Sequence, residues 1–271
     1  MTASTTPRSY LFVPGNRPDR FVKASQSGAD RVILDLEDAV AEADKDAARQ
    51  QVAEYLGAGG AGIVRINATH SRWLDDVMAC RQPGLQGVIL PKAESADLIS
   101  RIVQLLPAGV KVLPLIETAR GMKSLDEIAS TVGVERLVFG TVDFRTEMGI
   151  EGDDEELLYF RSMIVLASKA AGKAAPIDGV TVSINDADEL QRACIRGRRL
   201  GFGAKLCVHP SQVQAVNKAF GPSDEQIAWA VKILHTAKSS GGVFKLDGEM
   251  VDAPVIARAA TLLKEAGRAT A

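Results

Sequence analysis

Nine ionisable residues, Asp35, Glu37, Asp38, Arg65, Lys92, Glu117, Asp143, Asp178 and His209, stand at the ends of short apolar runs. If those runs are parallel strands, the nine share one face, because the C-terminal ends of such strands open together. Glu117 and Asp143 close consecutive runs, so their carboxylates can converge on one point. Two carboxylates that leave several positions to water or substrate oxygen suit Mg2+, whereas Zn2+ would ask for histidine or cysteine. Arg65 offers a fixed cationic fork for a carboxylate or carbonyl oxygen. A divalent metal beside an arginine suits charge that develops on an enolate or alkoxide next to a carboxylate. The chemistry this favours is the making or breaking of a carbon–carbon bond in a keto acid.

The elements that must position these groups are legible as a rhythm. Apolar runs occur at 9–15, 31–38, 62–67, 87–92, 111–117, 136–143, 177–182 and 205–209. Most lack alternation, as strands buried on both faces do. Segments of helix length separate them. Those at 44–56, 155–171 and 187–200 carry helical periodicity, and Pro107, Gly172 and Gly201 sit where helices should stop. Eight such units predict an α/β fold, a (β/α)8 TIM barrel over residues 1–220. A doubly wound sheet is weaker, since no strand leads into a Gly-x-Gly-x-x-Gly turn. Residues 221–271 exceed what a barrel needs. They read as a helix (223–239), a loop or hairpin (241–250) and a terminal helix (254–267), together a C-terminal helical lid or oligomerisation extension.

Composition narrows the function classes. The chain has 271 residues, 46% of them hydrophobic and 24% charged, and 32 basic against 34 acidic residues give a net charge of −2. That balance gives no electrostatic footprint for nucleic acid. No apolar run reaches the roughly 18–20 residues that span a bilayer, so no membrane partner is expected. The first eight residues lack the apolar core of a signal peptide. Cys80, Cys194 and Cys207 are odd in number and share no metal-ligand spacing, which favours neither disulfides nor zinc and points to the cytoplasm.

Ordered motifs then carry a resemblance. RSYLFVPGNRPDRF (8–21), VILDLEDAV (32–40), VRIN (64–67) and LPKAE (90–94) are followed by LIETARG (115–121), FGTVDF (139–144), APIDGV (175–180), CVHPSQV (207–213) and MVDAPV (250–255). The chain resembles the citrate lyase β-subunit and its stand-alone relatives in the HpcH/HpaI aldolase superfamily, over nearly its whole length. That resemblance implies Mg2+-dependent barrels, often trimeric, that cleave or form 3-hydroxyacyl thioesters such as malyl-CoA and citramalyl-CoA. It implies Glu117 and Asp143 as metal ligands, with Glu117 also at the substrate, and Arg65 as the group that holds and polarises the keto acid. Asp252 is similar to a catalytic acid/base that relatives deliver from a neighbouring subunit. Phe12, Arg20 and Lys23 are implied as CoA contacts. Two departures from the family pattern are Glu147, where many relatives have a second aspartate, and Ala204, where many have glycine.

Other residues have plainer readings. Asp35 and Glu37 are one residue apart on a strand and should share a face; Glu37 either supports metal-bound water or pairs with Arg65. Lys92 either contributes to the site or closes a strand-end salt bridge. His209 reads as a helix cap, His70 and His235 as solvated, and Arg196, Arg198 and Arg199 as a solvated helix face more than a phosphate site. Residues 153–156 read as an acidic helix start. The expected activity is an Mg2+-dependent carbon–carbon lyase acting on a CoA thioester of the malyl-, citramalyl- or citryl-CoA type. The expected partners are that thioester and a 2-keto acid, and the expected assembly is a homotrimer or hexamer. The rivals are a citrate lyase subunit working on a carrier-protein thioester, a CoA-independent aldolase, and a non-catalytic assembly or ligand-binding subunit.

Overall fold

The apolar runs become eight parallel strands, each hydrogen-bonded to the next and the eighth to the first. They are β1 (Ser9–Pro14), β2 (Arg31–Asp35), β3 (Gly62–Arg65), β4 (Leu85–Leu90), β5 (Lys111–Ile116), β6 (Val138–Phe139), β7 (Ile177–Asp178) and β8 (Ala204–Cys207). This computed structural model describes residues 6–68, 72–239 and 243–267. The architecture is the (β/α)8 barrel.

Alternation along each strand divides the apolar side chains into two sets. Tyr10, Ile33, Ile63, Ile89, Leu113, Leu115, Val138, Ile177, Ala204 and Leu206 point inward and fill the barrel. Their neighbours, such as Leu11, Leu34, Val64, Val88 and Ile116, point outward into a larger core shared with the helices. A strand buried on both sides has no polar face, which is why the runs showed no alternation.

The surrounding helices are α1 (Phe21–Ser25), α2 (Lys45–Gly57), α3 (Arg72–Ala79), α4 (Ala96–Leu105), α5 (Ala119–Lys123), α6 (Leu125–Ser130), α7 (Thr141–Met148), α8 (Leu158–Ala170), α9 (Ala187–Leu200) and α10 (Pro210–Phe220). Their boundaries follow capping chemistry. Asp186 accepts the Glu189 N–H at the start of α9, and Gly201, at φ 104°, ends it. Helix α4 stops one residue before Leu106, whose extended backbone is what a following Pro107 imposes.

Two strands, β6 and β7, keep only two residues each of their longer runs. The run at 136–143 breaks at Gly140, where α7 begins, and β7 ends at Asp178, before Gly179. Both glycines admit close neighbours: a Cβ on Gly140 would sit 2.5 Å from Glu117 Oε2, and one on Gly179 would sit 2.3 Å from Thr141 Oγ1. The other end of the barrel is plugged by Arg136, which is fully buried. It donates to the Ala175 carbonyl at 2.7 Å, the Pro7 carbonyl at 2.9 Å and the Tyr10 hydroxyl at 3.2 Å.

Beyond α10 the chain forms α11 (Asp224–Ser239), an antiparallel hairpin of β9 (Phe244–Leu246) and β10 (Glu249–Val251), and α12 (Ala253–Glu265). These elements bury their own apolar cluster, including Ala230, Ile233, Val251, Ala259 and Leu263. Arg8, just before β1, donates to the Glu265 carbonyl at 2.8 Å, and Arg198, in the last turn of α9, donates to Gln226 Oε1 at 2.8 Å. The extension is therefore tied to the N-terminal ends of the barrel strands, opposite the face that carries the ionisable cluster.

Candidate active site

The C-terminal ends of the strands enclose a cavity of about 520 Å3. Its inner wall is the top of the barrel filling, with Leu115 and Leu206 buried and Phe12 and Val180 packed against them. Its polar wall is made by Asp35, Asp38, Arg65, Glu117 and Asp143.

Arg65 ends β3 and is nearly buried. Its Nε and Nη2 donate to the two oxygens of Asp35 at 2.7 and 2.6 Å, a bidentate pair. Nη1 lies 3.1 Å from Asp38 Oδ2 and 3.0 Å from Glu37 Oε2. The Glu37 contact is an ion pair without hydrogen-bond geometry, since Oε2 has no hydrogen-bond donor. The guanidinium also stands 4.8 Å from the centre of the Phe12 ring. Burial works against its charge, but Asp35, Glu37 and Asp38 raise its pKa above the ordinary arginine value. The fork edge expected to receive a substrate is thus occupied by Asp35, which leaves the second N–H on each of Nη1 and Nη2 for other acceptors.

Glu117 follows β5 directly and is 2% exposed. Burial, and after it the charges of Glu37 and Asp143, push its carboxyl up to about 8, against the opposing pull of a 2.8 Å hydrogen bond from the Lys92 backbone N–H. Lys92 reaches that position with φ at 46°, the left-handed region that side chains rarely adopt. Its Nζ meets Glu37 Oε1 at 2.9 Å. Burial likewise raises Glu37, with Arg65 and Lys92 opposing. Asp143 sits in the first turn of α7, not at the end of β6 as the run at 136–143 suggested. That turn forms one wall of the cavity and has no side-chain cap at Gly140, so its N–H groups are donors at the positive end of the helix.

The donor set fits a hard divalent cation. It offers oxygen only, two of its carboxylates carry unfavourable mutual charge in a buried place, and Gly140 leaves Glu117 Oε2 uncrowded. No cluster of three or more His, Cys, Asp or Glu side chains with metal-binding geometry occurs among the described residues. A cation held here would have two protein ligands and keep its remaining positions for other oxygens.

The fold brings Phe12, Asp35, Arg65, Glu117 and Asp143 together, with Glu37 touching Arg65 from behind. It does not bring the other sequence-derived candidates to the cavity. Arg20 and Lys23 lie exposed in the segment after β1, and Asp252 caps α12, its Oδ1 accepting the Val255 N–H at 3.2 Å. Asp178 leaves the strand-end set altogether. It points outward and is bound by Arg161 Nε at 3.0 Å, because Ile177 takes the inward position. His209 caps α10 through the Ser211 N–H, as its place before Pro210 implied.

Arg196 and Arg198 are a correction. Arg196 pairs with Asp153 at 2.8 Å, and Arg198 donates to the Ala219 carbonyl at 2.8 Å and to Gln226, so neither is a solvated face. Asp153, read only as part of a helix start, joins Arg161 to Arg196. Glu147 accepts the Ala119 N–H at 3.3 Å. His235 is exposed, and His70 lies outside the described residues. The positioning parts of Lys92 and Gly140 were missed; the tripeptide Phe-Gly-Thr after an apolar pair was the signal for the second.

A closed parallel barrel with an arginine and paired carboxylates at its strand ends defines a class, the TIM barrels with an ionisable site at the C-terminal face. Comparison places the chain more closely. The family described as HpcH/HpaI aldolase/citrate lyase matches residues 8–210, and the chain belongs to it. The crystal structure of CitE from Mycobacterium tuberculosis with magnesium, acetoacetate and coenzyme A is 37% identical, at a TM-score of 0.84. The alignment covers 98% of this chain and 100% of that one. A citrate lyase beta subunit from the same organism, solved with oxaloacetate and magnesium, is 34% identical at a TM-score of 0.71 over 82% of this chain and 99% of that one. A (3S)-malyl-CoA thioesterase of Cereibacter sphaeroides is 33% identical over 90% of this chain and 89% of that protein.

Proposed function

We propose that this protein is an Mg2+-dependent carbon–carbon lyase that cleaves or forms a 3-hydroxyacyl-CoA thioester of the malyl-, citramalyl- or citryl-CoA type. The observation that carries the reading is the meeting of Arg65, Glu117 and Asp143 around one cavity with an apolar inner wall. The magnesium and coenzyme A in the mycobacterial structure support it.

Glu117 and Asp143 would hold the Mg2+, which supplies Lewis-acid stabilisation of negative charge on substrate oxygen. The first turn of α7 receives the carboxylate of the 2-keto acid unit at its positive end. Arg65, held by Asp35 and Glu37, directs its remaining donor at the oxygen whose charge changes in the reaction. In cleavage the hydroxyl gives its proton to solvent, its oxygen becomes the carbonyl of the 2-keto acid as the carbon–carbon bond breaks, and the electron pair passes to the α-carbon of the departing acetyl-CoA, which takes up a proton. Asp252 of a neighbouring copy supplies that proton, and in the reverse direction removes it, a step worth about 10²–10⁴-fold. Its own barrel mouth lies at the far end of the strands from the anchoring points of the extension, which supports delivery between copies of a homotrimer or hexamer. Arg20 and Lys23, exposed in the segment that follows β1, would meet the phosphates of CoA. The three buried free thiols favour the cytoplasm.

Purified protein given Mg2+ and malyl-CoA, citramalyl-CoA or citryl-CoA should release acetyl-CoA and a 2-keto acid from at least one of them. Glu117→Gln should lose at least about 10²-fold in kcat. Release of free CoA without acetyl-CoA would show thioester hydrolysis in place of the lyase reaction, and activity in Glu117→Gln undiminished by EDTA would sink the metal assignment.

A further inference from the structure

We infer that Lys45, at the start of α2 and outside the cavity, is a positioning residue for Arg65: it holds the loop from which the carboxylates around that guanidinium project. The inference deepens the lyase reading, and its kinetic part rests on that reading.

Local chemistry argues against a lysine at this place. Lys45 is the first residue of α2, the end of a helix where a cation is disfavoured, and its side chain is buried. Its hydrogen bonds go to two carbonyls, not to a carboxylate: Nζ donates to the Leu36 and Glu37 oxygens, each at 2.9 Å. An alkyl side chain would fill the same space without the cost of desolvating a charge. The ammonium matters for what it binds.

The Leu36 carbonyl and the Glu37 N–H belong to one peptide unit. Lys45 binds one side of that unit, and Asp35 Oδ1 accepts from the other at 2.9 Å. The same Asp35 oxygen accepts from Arg65 Nε at 2.7 Å. The Leu36 N–H donates to the Arg65 carbonyl at 2.9 Å, so this loop fixes both the backbone and the guanidinium of Arg65. Glu37 and Asp38, next along the loop, bring their carboxylates to Nη1.

The other flank of Arg65 is held independently. Asn67 donates through its backbone N–H and Nδ2 to Asp76 Oδ2 at 2.8 and 2.7 Å. Arg49, about one turn along α2 from Lys45, binds Asp76 Oδ1 through Nε at 2.7 Å. Removing the Lys45 ammonium should loosen one flank and leave the other as an internal control.

Lys45→Met, which keeps an unbranched side chain of similar length, tests this on the intact protein. Amide hydrogen exchange resolved to single residues is combined with steady-state kinetics, using Mg2+ and the thioester that the wild type cleaves. The Leu36 and Glu37 amides should exchange at least about tenfold faster, while the Asn67 amide stays unchanged. The kcat should fall about tenfold with KM little altered, since Arg65 acts where charge develops. Combined with Arg65→Lys, the substitution should add no further loss, because its effect runs through Arg65. Where Lys45→Met does not fold, Lys45→Ala, which admits water to the two carbonyls, carries the same comparisons. Unchanged exchange at Leu36 and Glu37 would overturn the inference. So would an unchanged kcat, or losses that multiply in the double variant, the mark of a merely structural role. A wild type that cleaves no thioester overturns the lyase reading alone, and the exchange comparison then still decides whether Lys45 holds the Arg65 loop.

Discussion

Lys92 shows at the scale of one residue how this site is built. A left-handed backbone costs a side-chain-bearing residue about 1 kcal/mol, yet it turns the Lys92 N–H onto Glu117 while Nζ reaches Glu37. The ion pair does not repay the strain, because the ammonium side chain is 45% exposed and such a pair contributes well under 1 kcal/mol. What the strain secures is position. Replacing Lys92 by glycine keeps the N–H and removes both the strain and the tether on Glu37. Lys92→Gly should melt at the same temperature or a few degrees higher, yet lose about tenfold in kcat/KM as Glu37 and Arg65 lose their fixed arrangement. Lys92→Ala should lose as much activity and be less stable than the glycine variant by about 1 kcal/mol. Thermal melts alongside steady-state kinetics decide it. Unchanged kinetics in both variants would mean the turn is only a turn.

At the scale of elements, the short strands β6 and β7 are held less by their ladders than by what lies behind them. Asp178 is wholly buried between β7 and the helices, where Arg161 and the Gly179 N–H bind it. Burial acts against its charge, but Lys205, Arg161 and those hydrogen bonds hold its carboxyl below the ordinary 3.8. A lowered folded value means that its stabilisation is complete above about pH 4 and is lost as pH falls through the folded value. Asp178→Asn should cost about 3–5 kcal/mol at neutral pH, since it leaves buried cations without their partner. Its stability should also fall less steeply than the wild type's below pH 4, which denaturant titrations across pH would measure. The same residue marks where the sequence stops being readable. Runs buried on both faces show that there are eight strands, but their lack of alternation hides which side chains point inward. So Asp35, Arg65 and Glu117 line the cavity at the strand ends, while Asp178, one position out of phase, was grouped with them but points away. The early end of β6 was equally hidden, because Gly140 yields to α7 for the sake of a contact with Glu117, 23 residues away in the sequence.

At the scale of the whole molecule, the part proposed for Asp252 depends on assembly. Helix α12 and the hairpin before it form their own apolar cluster, tied to the barrel at Arg8 and Arg198, on the face away from the cavity. Within one chain Asp252 serves as a helix cap. If it acts in catalysis it must do so on another copy, and each active site is then a composite of two chains. Complementation makes that visible. Glu117→Gln retains Asp252 but has a damaged barrel mouth, whereas Asp252→Ser retains the mouth, can still cap α12, and has lost the acid. Each variant alone should be nearly inactive. Mixed, dissociated and reassembled together, they should form sites in which an intact mouth meets an intact Asp252, and activity should return to a substantial fraction of wild type. Recovery should track subunit exchange, and covalent cross-linking of each pure assembly before mixing should abolish it. A mixture that stays as inactive as its components after exchange, verified by native mass spectrometry, would remove Asp252 from the neighbour's site and leave the extension a structural role alone.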